Sequence, residues 1–206
     1  MGLVIVLAIT ATVIGLVGQL PDPRKVKREL ARARIQSINS LVDGKPAAVR
    51  GTIATVEDAI VHAPLSNRRC VYSLVVFDEV GVGGDYVELG RLERGLPFLL
   101  RSDHGTARVV PDGARLAIYG DVTTQPIIAD TPMSRLARSV CKRHNYATSW
   151  LRATEYVLEP DAFVTISGWC TREPDPEAAE DVTGYREQLP TRPVISGSRG
   201  AKLMIG

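Results

Sequence analysis

Leu3–Leu20 (LVIVLAITATVIGLVGQL) runs for eighteen residues without a charge, and only Thr10, Thr12 and Gln19 interrupt its apolar character. At about 1.5 Å rise per residue a helix of that length covers roughly 27 Å, close to the hydrocarbon thickness of a bilayer. Pro21 and Pro23 close the run, and the next segment reverses in character. Between Asp22 and Arg34 stand six basic residues (Arg24, Lys25, Lys27, Arg28, Arg32, Arg34) against two acidic ones (Asp22, Glu29). A cleaved signal peptide wants a basic stretch before a shorter apolar run and a small-x-small cleavage site. Here nothing basic precedes the run, and Val17-Gly18-Gln19 makes a poor site. A buried core helix is usually amphipathic and shorter. The expectation is therefore a single-pass anchor over residues 1–22. Its basic C-terminal flank places the soluble domain in the cytoplasm by the positive-inside rule.

The charge balance locates the basic excess. The chain carries 25 Lys/Arg and 23 Asp/Glu for a net charge of +2. Setting aside the six and two of the membrane-proximal stretch leaves 19 against 21, so the soluble part is slightly acidic. A nucleic-acid-binding surface needs a basic excess on the folded domain itself, and no nucleic-acid partner is expected. Attraction of Arg24, Lys25, Lys27, Arg28, Arg32 and Arg34 to anionic head groups, at about 1 kcal/mol each near the surface, explains the stretch better.

Three cysteines (Cys70, Cys141, Cys170) are too few and too odd in number for a disulfide scaffold. Cys70 and Cys170 lie in strand-like runs and read as small buried apolar residues. Cys141 and His144 have a CxxH spacing, but no second local pair completes four ligands, so neither a metal nor a cofactor is expected. Cysteine catalysis lacks a recognisable oxyanion loop or orienting acid. Asp103-His104 sits at a hairpin tip, where turn chemistry is the ordinary role. Gly81-Val82-Gly83-Gly84 is not followed by the Lys and helix start of a phosphate loop. The chain is therefore expected not to be an enzyme.

Along the chain, Val26, Leu30, Ala33, Ile38 and Leu41 form an imperfect helical stripe, which predicts a juxtamembrane helix within 23–44. From residue 45 the pattern turns to strands. Ala47–Val56, Cys70–Val80, Pro97–Arg101, Thr106–Val110, Ala114–Asp121, Ala153–Leu158 and Ala162–Arg172 are β-branched or apolar runs set between Gly, Pro and Asp turns. Gly168 inside the last of these predicts a bend or a close backbone approach. Pro193–Ser196 and Lys202–Ile205 read as a final hairpin, Glu173–Glu180 as a solvated loop, and about 123–152 as an inserted loop with one helical turn. The expected fold is mainly β, a small OB-like barrel or sandwich over 45–206.

Three stretches keep the order of a known family. They are ATVEDAIVHAPLSNRRCVYSLVVFDE (Ala54–Glu79), FLLRSDHGTARVVPDGARL (Phe98–Leu116) and EYVLEPDAFVTISGWCTRE (Glu155–Glu173). Together they resemble the GIDE, or beside-a-membrane, domain, and the resemblance covers about Lys45–Gly206. It implies a β-rich, OB-like domain held at a membrane by a transmembrane helix. In eukaryotic relatives a RING finger follows and acts as an E3 ubiquitin ligase. Here no second apolar span and no CxxC or Cys/His series accompanies the domain, so these residues cannot build a RING's two zinc sites. Asn67-Arg68 stands where the family usually has a Gly, and Pro160-Asp161 replaces a Pro-Gly-Asp.

The resulting expectation is a membrane-anchored, non-catalytic interaction module with an unidentified protein or peptide partner. Arg138, Arg143, Tyr146 and Trp150 are its candidate contacts, because Trp, Tyr and Arg dominate interfaces. The alternatives are a component of a membrane ubiquitin-ligase system whose catalytic partner acts in trans, or a lipid or envelope-stress sensor.

Overall fold

The computed structural model describes residues 23–80, 86–117, 123–127, 131–140, 151–175, 190–198 and 202–206. The apolar run Leu3–Leu20, Gly81–Gly84, Cys141, Arg143, His144, Tyr146 and Trp150 lie outside the described residues. Among the described residues, no helix is long and apolar enough to cross a membrane. In chain order the elements are α1 (Pro23–Arg32), a 3-10 turn (Ile38–Ser40), β1 (Lys45–Ala54), β2 (Val61–His62), β3 (Arg69–Cys70), β4 (Tyr72–Val80), β5 (Tyr86–Gly95), β6 (Phe98–Ser102), β7 (Gly105–Val109), β8 (Arg115–Leu116), β9 (Thr123–Pro126), α2 (Pro132–Val140), β10 (Leu151–Leu158), β11 (Phe163–Pro174), β12 (Thr191–Ser196) and β13 (Met204–Ile205).

Five of these strands close into a barrel. β1 pairs with β6, β6 with β7, β7 with β12, β12 with β11, and β11 returns to β1. Only the β7–β12 seam is parallel. Alternation makes the interior: Val164, Ile166, Gly168 and Cys170 of β11 are buried, while Phe163, Thr165, Ser167 and Trp169 between them are not. Closure brings backbones together where side chains would not fit. A Cβ at Gly168 would stand 2.7 Å from the Ser196 carbonyl oxygen, and one at Gly51 would collide with the Arg101 carbonyl. Gly168 thus has the close approach expected of it. Glu173 spans the parallel seam, accepting from Arg108 on β7 at 2.9 Å and from Arg192 on β12 at 2.7 Å.

The two long excursions from the barrel, β1 to β6 and β7 to β11, together build a second sheet in the order β5-β4-β10-β9. It is covered on both sides. Tyr72, Leu74 and Val76 of β4 join the barrel core, whereas Val75 and Phe77 point the other way into a cluster with Leu92, Leu151 and Ala137 of α2. That two-sided burial explains why Cys70–Val80 reads as one continuous apolar run. A bulge at Phe77/Asp78 interrupts the β4–β5 register. Nearby, Gly90 lets the end of α2 approach, since a Cβ there would lie 2.9 Å from the Val140 carbonyl oxygen.

Several expectations change. The stretch near 123–152 is not merely an inserted loop: it supplies β9, α2 and the first residues of β10, because Ala137 with Met133 and Leu136 has an apolar sheet face to cover. The helix expected across 23–44 stops at Arg32, after which Gln36 donates its N–H to the Ala48 carbonyl at 2.7 Å and Ile38 and Leu41 enter the barrel core. The final hairpin does not form. β12 pairs with β11 and β7, and β13 pairs with β11 and β8, since both find longer partners than each other. Glu173 belongs to β11 rather than to a solvated loop. β5, whose charges alternate with apolar residues too weakly to announce a strand, emerges as the partner of β4 along its whole length.

Candidate functional site

Of the residues nominated for partner binding, Arg138 is described. It is exposed on α2, and its guanidinium folds back onto its own helix, donating to the Ser134 carbonyl at 3.4 Å and the Ser134 hydroxyl at 3.3 Å. Arg143, Tyr146 and Trp150 lie outside the described residues. All six basic residues Arg24, Lys25, Lys27, Arg28, Arg32 and Arg34 are exposed. α1 is nevertheless fixed to the barrel. Val26 and Leu30, one turn apart, are buried with Ala117 against Met204 of β13. The basic helix and the barrel are therefore one packed body.

The polar interior has one strong node. Glu155 on β10 is fully buried, and its carboxylate accepts the Leu65 N–H at 2.7 Å, the Ser66 N–H at 3.0 Å and the Ser66 hydroxyl at 2.6 Å. It pins the turn that brings Asn67 into the left-handed region at φ 56°. Arg68, just beyond, pairs with Glu159 at 2.7 Å. Deep in the barrel–sheet interface, Tyr72 is buried with its ring close against Gly95. Burial and the neighbouring Glu93 carboxylate push its phenol above the ordinary range. Glu93 itself is raised by burial, against the pull of the Gly113 N–H that it accepts at 3.2 Å.

The two described thiols are buried. Burial, followed by the Glu155 charge, pushes Cys70 up to about 11, and burial also raises Cys170. Both shifts disfavour the thiolate that a nucleophile or metal ligand needs. A thiol raised in the folded state holds its stabilising contribution fully below its ordinary value of 9.0 and loses it as pH climbs towards about 11. Urea midpoints are accordingly expected to fall between pH 8 and pH 10.5, with a shallower fall in Cys70→Ala. Ellman's reagent is expected to reach Cys70 and Cys170 only as the chain unfolds. Rapid labelling of either thiol in the folded chain at pH 8 would contradict this picture. Among the described residues, no cluster of His, Cys, Asp or Glu is arranged to hold a metal ion.

One groove opens between α1 and the barrel, with a volume of about 610 Å³. Leu30, Ala31, Val157, Ala162 and Val164 line its apolar part, Lys27 and Arg50 bring positive charge to it, and Arg68 enters it as an ion pair with Glu159. Phe163 also lines it and is 70% exposed, the most exposed large apolar side chain among the described residues. Arg50 is exposed and donates its Nε–H to the Thr165 hydroxyl at 3.1 Å, which turns the guanidinium along the barrel surface. The sequence marked Lys27 as a membrane-facing residue. It gave no sign of Arg50, Arg68 or Phe163, which fall on separate strands and turns and meet only through barrel closure.

Comparison with protein-family models, with curated proteins and with solved structures finds no match to this chain.

Proposed function

We propose that the chain is a membrane-anchored, non-catalytic binding module of the beside-a-membrane type, which holds a barrel against a membrane and presents it to a protein partner. The observation that carries this reading is the docking of α1. Because Val26 and Leu30 lock the basic helix to the barrel, a span at Leu3–Leu20 would orient the whole domain instead of tethering it loosely. The barrel order adds support. Numbered within the ring, the strands run 1-2-3-5-4 with a parallel 3–5 pair, which we read as OB-like. Barrels of that kind bind through one face and its adjoining loops. Strands β6 and β7 contain one aromatic residue, Phe98, and it is fully buried, so stacking on single-stranded bases has no platform on that face. A catalytic reading draws nothing from the two buried, raised thiols.

Proximity labelling from the full-length chain, with deletion of 3–20 as control, tests the proposal. Recovery of a defined protein that depends on the apolar segment supports it. Labelling that is the same with and without the segment overturns it.

A further inference from the structure

We propose that the groove between α1 and the barrel seats the head group of one anionic phospholipid. This inference rests on the membrane reading above and adds a defined site to it. The groove is two-ended in chemistry. Lys27 and Arg50 offer positive charge, Arg68 being already paired with the groove's own Glu159 at 2.7 Å, while Leu30, Ala31, Val157, Ala162 and Val164 offer an apolar wall. A phosphate joined to a glycerol and the first acyl methylenes has the same two ends. Arg50 is already steered by its bond to Thr165, leaving the planar donor face that phosphate oxygens accept well. The volume of about 610 Å³ suits a head group with part of its chains and falls in the range of ordinary ligand clefts.

Two further observations favour a lipid over a free anion. Phe163 lines the same groove at 70% exposure, an apolar ring that acyl chains would cover and a free inorganic anion would not. Chain length sets the depth. Lys27 follows Leu20 by seven residues, which reach about 10 Å as helix and at most about 25 Å when extended. Head-group layers extend about 5–8 Å on each side of the hydrocarbon. The groove therefore lies within about 25 Å of the hydrocarbon edge of a bilayer spanned by Leu3–Leu20, and near the helical limit it sits at the outer edge of the head groups.

The test uses the full chain in neutral detergent micelles with equal amounts of phosphatidylglycerol and phosphatidylcholine, and native mass spectrometry counts the lipids retained. The expected result is one phosphatidylglycerol held in preference to phosphatidylcholine, with retention reduced at least about tenfold in Arg50→Glu. Arg32→Glu makes the same charge change on α1 away from the groove and is expected to retain the lipid. Arg50 is exposed, so Arg50→Glu is expected to keep the parent's thermal midpoint, which separates lost binding from lost folding. Equal retention of the two lipids overturns the proposal. So does equal loss in Arg32→Glu and Arg50→Glu, which would indicate diffuse surface attraction. Displacement of the lipid by millimolar inorganic phosphate would reassign the groove to a free anion. Displacement by a micromolar oligoglutamate peptide would reassign it to an acidic protein segment. Because micelles require no bilayer insertion, a failed anchor leaves this readout intact, and a failed groove leaves the anchor untouched.

Discussion

Glu155→Ala is expected to destabilise the fold by about 4 kcal/mol, the largest single-site effect outside the apolar core. Hydrogen bonds to a buried charged acceptor contribute about 1.5–3 kcal/mol each, and stranded donors add a desolvation penalty. The substitution strands the N–H groups of Leu65 and Ser66 and the Ser66 hydroxyl, all of which end on one carboxylate. Ser66→Ala removes the hydroxyl's bond to the carboxylate and the oxygen that accepts the Arg68 N–H at 3.4 Å, but leaves both N–H bonds to Glu155 in place, so a loss of about 1–2 kcal/mol is expected. The double variant should fall short of the sum, since both changes empty the same node. Urea denaturation of the three variants decides the matter. A Glu155→Ala loss below about 1 kcal/mol would mean that the carboxylate is solvated rather than enclosed.

Phe77→Ala is expected to destabilise by about 3–5 kcal/mol, the range for emptying a buried phenyl. Phe77 is fully buried on the face of β4 opposite the barrel, within the cluster that receives α2. The cavity would therefore open under α2 and leave the closed barrel packed. Hydrogen exchange should show the distinction: amides of Pro132–Val140 lose protection first, while those of β11 keep theirs. Uniform loss across both layers would contradict the separation of the cluster under α2 from the barrel core. The same experiment asks whether Arg138, which rides on α2, has a position independent of the barrel.

Where the sequence was legible, local physics and burial pointed the same way. β11 alternates so regularly because one face lines the barrel, and Gly168 announced the backbone that passes it. The hairpin of β6 and β7 was marked by its turn, where Gly105 takes φ 115°. Two left-handed turns were legible as well. Asn67 and Asp161 adopt φ of 56° and 65°, positions where glycine is easiest and Asn or Asp the next choice.

What stayed illegible was long-range. Nothing local shows that the excursions after β1 and β7 pair with each other into a second sheet, or that Ile38 and Leu41 leave the helical path for the barrel core. β13 is two residues long, too short for periodicity, and gains its place from the neighbours it finds. The groove was hidden for the same reason. Its cations and Phe163 lie on α1, β1, β11 and the turn before β3, and only barrel closure with a docked α1 assembles them. The basic face of α1, by contrast, was readable from spacing alone, because solvated charges need no tertiary partner.

The central claim is that Leu3–Leu20 inserts in a bilayer and the docked α1 thereby sets the barrel at its surface. Alkaline carbonate extraction of membranes carrying the full chain, beside a chain lacking 3–20, tests it most directly. The account predicts that the full chain stays in the membrane pellet and the shortened chain is released. Release of the full chain by carbonate would contradict it.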